Sequence, residues 1–185
     1  YASTMNPSAL EYRRRNGLDR KEEQMALLVM RVSGSHYGHH LFMPTAAGVG
    51  YSHSTYRWSD SLDPSAGMLR LVAGLGTKAV DRTQSDYPRI VSLDKPLAQT
   101  SQSWADKHRY SQHNADVLDL EKRAVTECDV LDLVDLLPPF AKQAIFEHDR
   151  EAEGRLRERG HFRPVLFASC QGLVENREFT TLMAR

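Results

Sequence analysis

Residues 66–82, Ala66 to Arg82, read AGMLRLVAGLGTKAVDR. The apolar run from Gly67 to Leu75 predicts a strand that ends on Gly74-Leu75-Gly76. Glycines at such an end let backbone N–H groups come close to a phosphate, and Lys78 beside them supplies a positive charge. The pattern is not the GxxxxGK[ST] of a P-loop. Ala79 replaces the third glycine of a dinucleotide fingerprint, and no strand–helix–strand pattern surrounds it. A plain glycine turn between two strands is the competing reading of the same residues.

Upstream, Met25 to Val32 (MALLVMRV) is almost continuously apolar, which predicts a strand covered on both faces. Two further strands are expected over 39–43 and 47–53 (AGVGYSH), then a polar loop at 59–64 and, after Tyr87-Pro88, a strand over 89–93. Short connections between strands imply antiparallel pairing. Pro7 to Arg15 (PSALEYRRR) predicts a helix stopped by Asn16-Gly17, its three arginines forming a solvated face or, alternatively, a phosphate-facing one.

Downstream of Pro96 the composition changes. Residues 97–113 are rich in Gln and Ser and read as a linker or long loop. A short strand at 117–120, helical composition over 141–159 and a strand at 164–169 follow. Phe179, Leu182 and Met183 share one helical face at the end of the sequence. The expected class is α+β, a mainly antiparallel sheet with flanking helices. The expected organisation is a sheet subdomain over 1–95, a linker over 96–113 and an appended α+β portion over 114–185. The opening Tyr1-Ala2-Ser3-Thr4 and the interrupted apolar face at the other end suggest a piece of a longer protein.

Three stretches in this order, MALLVMRV, AGVGYSH and a strand ending GLGTKAVDR, resemble the ATP-grasp domain of the phosphoenolpyruvate synthase and pyruvate phosphate dikinase family. That N-terminal domain commonly reads as an apolar strand ending in a VQ pair, then SGVxFT, then GLGE. The opening YAST…NPSALEYRRRNGL resembles the preceding helix in a divergent branch. The likeness is good over residues 1–95 and loose over 110–185.

The resemblance implies roles for particular residues. Backbone groups of Leu28, Val29, Met30, Arg31 and Val32 would bond adenine as the hinge, with Met30 where Gln is usual. Tyr51, Ser52 and His53 would end the strand that faces the nucleotide. Gly74 and Gly76 would line the phosphates, Thr77 stands in place of the glutamate of GLGE, and Lys78 and Arg82 would contact phosphate, since cations stabilise transferring phosphoryl charge. ATP and Mg²⁺ would be the cofactors of the parent protein. The arginines and lysine of the other half-site would lie upstream and the acidic magnesium ligands downstream of this sequence, so no catalytic or metal-binding residue is assigned here.

Lys plus Arg and Asp plus Glu are 24 each, a formal net charge of zero. Such a chain has no general electrostatic attraction for nucleic acid or anionic membrane. No apolar run approaches a membrane span and no signal peptide pattern opens the chain, so a cytoplasmic protein is expected. The two cysteines, Cys128 and Cys170, fit buried free thiols in a reducing compartment. His36, His39, His40 and His53 cluster in sequence, but adjacent strand residues point to opposite faces, and exposed loop and strand histidines are favoured over a metal site. Asp60, Asp63, Asp81 and Asp86 read as turn formers before acid–base groups. Trp58 and Trp104 read equally as anchors for a partner and as packing on their own chain.

The function expected is a fragment of an ATP-dependent phosphotransferase. It would contribute the adenine-hinge strand and part of the phosphate cleft, bind ATP, work with the rest of the parent chain, and be inactive alone. The alternative is a non-catalytic module that senses nucleotide or docks a partner.

Overall fold

The computed structural model describes residues 2–22, 24–80, 86–100 and 103–184. The chain divides into two units, Tyr1–Val32 and Ser33–Arg185.

In the first unit a short 3₁₀ turn, Ala2–Met5, leads into helix α1, Pro7–Arg15. Asn6 caps the helix by accepting a hydrogen bond from the Ala9 N–H at 2.7 Å, and Pro7 takes the first-turn position where no N–H is needed. The helix stops as its sequence foretells. Gly17 adopts φ +65°, its N–H donates to Arg14 O, and the Leu18 N–H donates to Arg13 O at 2.8 Å, the paired bonds of a Schellman stop. Arg15 pairs with Glu11 at 2.8 Å on an exposed face, and Arg13 donates to the carbonyls of Leu18 and Lys21.

The strand expected at Met25–Val32 is not formed. Described residues 24–32 carry no regular structure, and Leu28 and Val29 are 85% and 90% exposed. A strand is stabilised by its ladder and by cover on its faces. Among the described residues of this unit the regular elements are one helix and one 3₁₀ turn, and neither can supply a ladder.

The second unit is built from antiparallel pairs throughout. Strands β1 (Ser35–Tyr37), β2 (Leu41–Met43), β6 (Asn114–Asp119) and β7 (Ala124–Asp129) form one sheet in the order β1-β2-β6-β7. Strands β3 (Ala46–Tyr51), β4 (Met68–Ala73) and β5 (Arg89–Ser92) form a second, and β8 (Phe146–His148) pairs with β9 (Leu166–Ala168). The helices are α2 (Thr77–Val80), α3 (Trp104–Arg109), α4 (Val130–Val134), α5 (Pro139–Ile145), α6 (Arg150–Glu158), α7 (Gln171–Glu175) and α8 (Arg177–Met183). The α+β class with antiparallel sheets is thereby established.

Two apolar cores hold these layers. Met43, Val117, Val130, Leu133 and Ile145 join the first sheet to α4 and α5. Leu69, Leu71 and Val91 join the second sheet to Cys170 and Val174, with Phe179 of α8 packed on them. β6 alternates strictly, burying Ala115, Val117 and Asp119 and leaving Asn114, Asp116 and Leu118 only partly covered. The β2–β6 pairing joins strands from both sides of the Gln- and Ser-rich stretch. Within that stretch, Ser103 caps α3 and Gln112 is 2% exposed, so it is ordered structure at its downstream end. The stretch of helical composition over 141–159 forms α5 and α6 with β8 between them, and buried Asp149 starts α6 by accepting from the Ala152 N–H at 2.8 Å.

Candidate functional site

β4 is buried almost throughout and delivers the glycine turn to β6 of the first sheet. Gln112 substitutes for a strand partner at its end. The Ala73 N–H donates to Gln112 Oε1 at 2.7 Å, and Gln112 Nε2 donates to Ala73 O at 3.0 Å and Asn114 O at 2.8 Å. The chain then turns at Gly74 with φ +78°. A Cβ at this position would stand 2.6 Å from Asp116 O. Only glycine meets both the left-handed conformation and the close approach. The Leu75 N–H donates to the same Asp116 carbonyl at 2.8 Å, so turn and β6 are joined through backbone.

The side chains that follow are also engaged. The Thr77 hydroxyl donates to the Asp116 carboxylate. Lys78 is 3% exposed, and its ammonium donates to Asp86 Oδ2 at 2.8 Å and Glu127 Oε2 at 2.6 Å. Asp86 also accepts from the backbone N–H groups of His113 and Asn114 at 2.8 and 2.7 Å. Burial disfavours both charges, but the bonds outweigh it. Lys78 titrates above its ordinary value because of Asp86 and Glu127, and the Asp86 carboxyl titrates below its own because of Lys78 and the two backbone donors. Lys78, expected to meet phosphate, is thus the neutralised centre of a buried ion pair.

The sign of the pH effect follows. Asp86 is held below its unfolded value, so its stabilisation is complete above the ordinary carboxyl range and is lost as pH falls through the depressed native value. Lys78 is held above its unfolded value, so its contribution is complete below the ordinary ammonium range and is lost as pH rises through the raised one. Urea midpoints measured across pH are expected to hold a plateau from about pH 5 to pH 9 and to fall on both sides. A midpoint that rises on acidification below about pH 4 would contradict this assignment.

The structure separates Tyr51, Ser52 and His53 from the turn. In the β3–β4 hairpin Ala46 pairs with Ala73, whereas Tyr51 pairs with Met68. Ser52 and His53 follow Tyr51, so they lie at the opposite end of the hairpin, about 17 Å away at ~3.4 Å per residue, and both are exposed. Gly76 faces the near end, where its Cβ would touch Ala47. Val29, Met30, Arg31 and Val32 belong to the first unit and are exposed there without regular structure. Arg82 and Asp81 lie outside the described residues.

Four residues of the assembly were not anticipated in these roles: Asp86, Gln112, Asp116 and Glu127. An aspartate inside a strand, as at Asp116, is the one local signal, since strands are poor in Asp. Asp86, Asp116 and Glu127 are committed to Lys78, Thr77 and backbone N–H groups, and no group of three or more His, Cys, Asp or Glu among the described residues could hold a metal ion. The residues at the turn therefore do not fit a magnesium ion, and no step through one is derived. His36 instead meets Phe42 edge to face, and Trp104 packs across Phe167 of its own chain. Cys128 and Cys170 are free, with the Cys170 thiol pushed up to about 12 by burial. No helix among the described residues is long and apolar enough to cross a membrane.

Residues 1–137 match the pyruvate phosphate dikinase, AMP/ATP-binding domain family, and the chain belongs to that family. The matched region is an ATP-binding domain of the pyruvate phosphate dikinase and phosphoenolpyruvate synthase group. No curated protein and no solved structure matches it.

Proposed function

We propose that this chain supplies one wall of the nucleotide cleft of an ATP-dependent phosphotransferase and does not catalyse by itself. The turn at Gly74 and Gly76 forms the phosphate-side wall, and Thr77 orients that wall through Asp116. Lys78 acts by holding the turn rather than by touching phosphate. The observation that carries this reading is the left-handed Gly74 fixed against Asp116 at the end of β4, within a chain of the ATP-binding family.

The charge at the turn argues for weak binding. Its lysine is already matched by two carboxylates, so a polyanionic phosphate gains little there. Calorimetry of the 185-residue chain with Mg-ATP is expected to show a Kd weaker than about 100 μM, worth less than about 5.5 kcal/mol. A low-micromolar Kd would overturn the proposal. The same neutralised lysine favours, as a second reading, a nucleotide-sensing or partner-docking module without phosphotransfer. Phosphate release by the full-length parent distinguishes the two, since turnover there excludes the module. In the parent, phosphate is proposed to pass from ATP through a carrier histidine to pyruvate, with Mg²⁺ and the remaining charged residues contributed by the rest of that chain in the cytoplasm.

A further inference from the structure

A pocket of about 380 Å³ lies beside β5 in the Ser33–Arg185 unit, against the β8–β9 hairpin. Phe167, 1% exposed, forms an apolar part of its wall. Tyr87 and Tyr110 stand at the pocket edge to face, ring centroids 5.3 Å apart, and each keeps substantial exposure. Three charged residues line it as well: Arg89, Lys107 and Glu147.

Arg89 is the unusual member. Its Nη2 donates to the neutral Gln171 Oε1 at 3.0 Å. Its Nε is buried and has no acceptor, and the guanidinium makes no ion pair among the described residues. Burial holds its pKa below the ordinary value, and the nearby Glu147 charge only partly offsets this. A desolvated cation with an unmatched donor favours an incoming anion. Lys107, whose ammonium is 4.5 Å from the Trp104 ring centre, adds a second positive charge. Two cations against one carboxylate leave the pocket positive.

The rings define the rest of the ligand. Tyr87 and Tyr110 are 40% and 48% exposed, so a bare inorganic anion would leave their ring surface unfilled, while a planar body would pack against it. The volume lies at the small end of the roughly 300–1,000 Å³ typical of ligand sites, which suits a single-ring compound better than a nucleotide. We propose that this pocket binds a small aromatic carboxylate, its anionic group on Arg89 and its ring against the exposed Tyr87 and Tyr110. The site is built from residues other than those of the glycine turn, so it stands whether or not Mg-ATP binds there.

Benzoate, benzamide and inorganic phosphate are the probes, titrated into the 185-residue chain by calorimetry and by NMR of arginine Nε–H groups. Benzoate is expected to bind and to shift the Arg89 Nε–H resonance. Benzamide and phosphate are each expected to bind at least about tenfold more weakly, the scale of one charge-assisted contact or one ring contact. Arg89→Met should weaken benzoate at least about tenfold, with Arg89→Lys between the two. If Arg89→Met does not fold, the resonance shift in the unaltered chain decides. Absence of that shift, equal affinity for benzamide, or equal affinity for phosphate would each overturn the proposal. A parallel Mg-ATP titration reports on the nucleotide reading separately.

Discussion

Lys78→Met is expected to destabilise the Ser33–Arg185 unit by about 3–5 kcal/mol, the range for breaking a buried ion pair from one side. The lysine and Asp86 side chains are 4% and 2% exposed, at 2.8 Å. Methionine fills most of the lysine stem, so lost packing is a minor part of the effect. The larger part is a carboxylate left in a poorly hydrated site without its ammonium partner, while the His113 and Asn114 N–H groups still donate to it. Glu127 is 56% exposed, so water replaces the lysine there, and Glu127→Gln should cost no more than about 1 kcal/mol. The double variant Lys78→Met with Asp86→Asn removes the orphaned charge, keeps an acceptor for the His113 and Asn114 N–H groups, and should recover more than half of the single-variant loss. Urea denaturation of these three variants, of the Asp86 single variant and of the unaltered chain supplies the test. Additive losses in the double variant would show that the pair is uncoupled and that Lys78 is important only for packing.

The sequence made parts of this arrangement visible and hid others for definable reasons. AGVGYSH and GMLRLVAGL were readable because glycines bound short apolar runs, and their strands fall at Ala46–Tyr51 and Met68–Ala73. The helix at Pro7–Arg15 was readable because its cap, its first-turn proline and its terminal glycine are all local. β7, Ala124–Asp129, was not, because it holds no buried residue and its pairing with β6 carries no apolar signature. MALLVMRV misled because apolar content specifies burial but not the strand that would provide it. At the turn, the sequence displayed the glycines and the lysine. It could not display that Asp86, eight residues on, and Glu127, 49 residues on, converge on that lysine. Gln112 sat unnoticed in a polar run, yet it does the work of a strand partner for Ala73.

Gly74→Ala is the second large expected effect, and Gly160→Ala is its natural control. Both glycines are left-handed, at φ +78° and +79°. Alanine at either position therefore pays about 1–2 kcal/mol for the conformation alone. A Cβ at Gly160 meets nothing within 4 Å. At Gly74 it would stand 2.6 Å from Asp116 O and 3.1 Å from the Ala115 Cβ. That carbonyl cannot simply withdraw, because it accepts the Leu75 N–H at 2.8 Å and Asp116 is paired with Glu127 in the β6–β7 ladder. Relief requires the turn to lift from β6, which adds about 1–3 kcal/mol of overpacking and the loss of one backbone bond. The expected costs are about 1–2 kcal/mol for Gly160→Ala and about 3–5 kcal/mol for Gly74→Ala, read from urea midpoints. Equal losses would mean that the β4–β6 junction yields freely. Because Thr77 and Lys78 follow Gly74 directly, a lifted turn also loosens the Lys78–Asp86 pair. Combining Gly74→Ala with Lys78→Met should then cost less than the sum of the two, as for contacts that share one structural support.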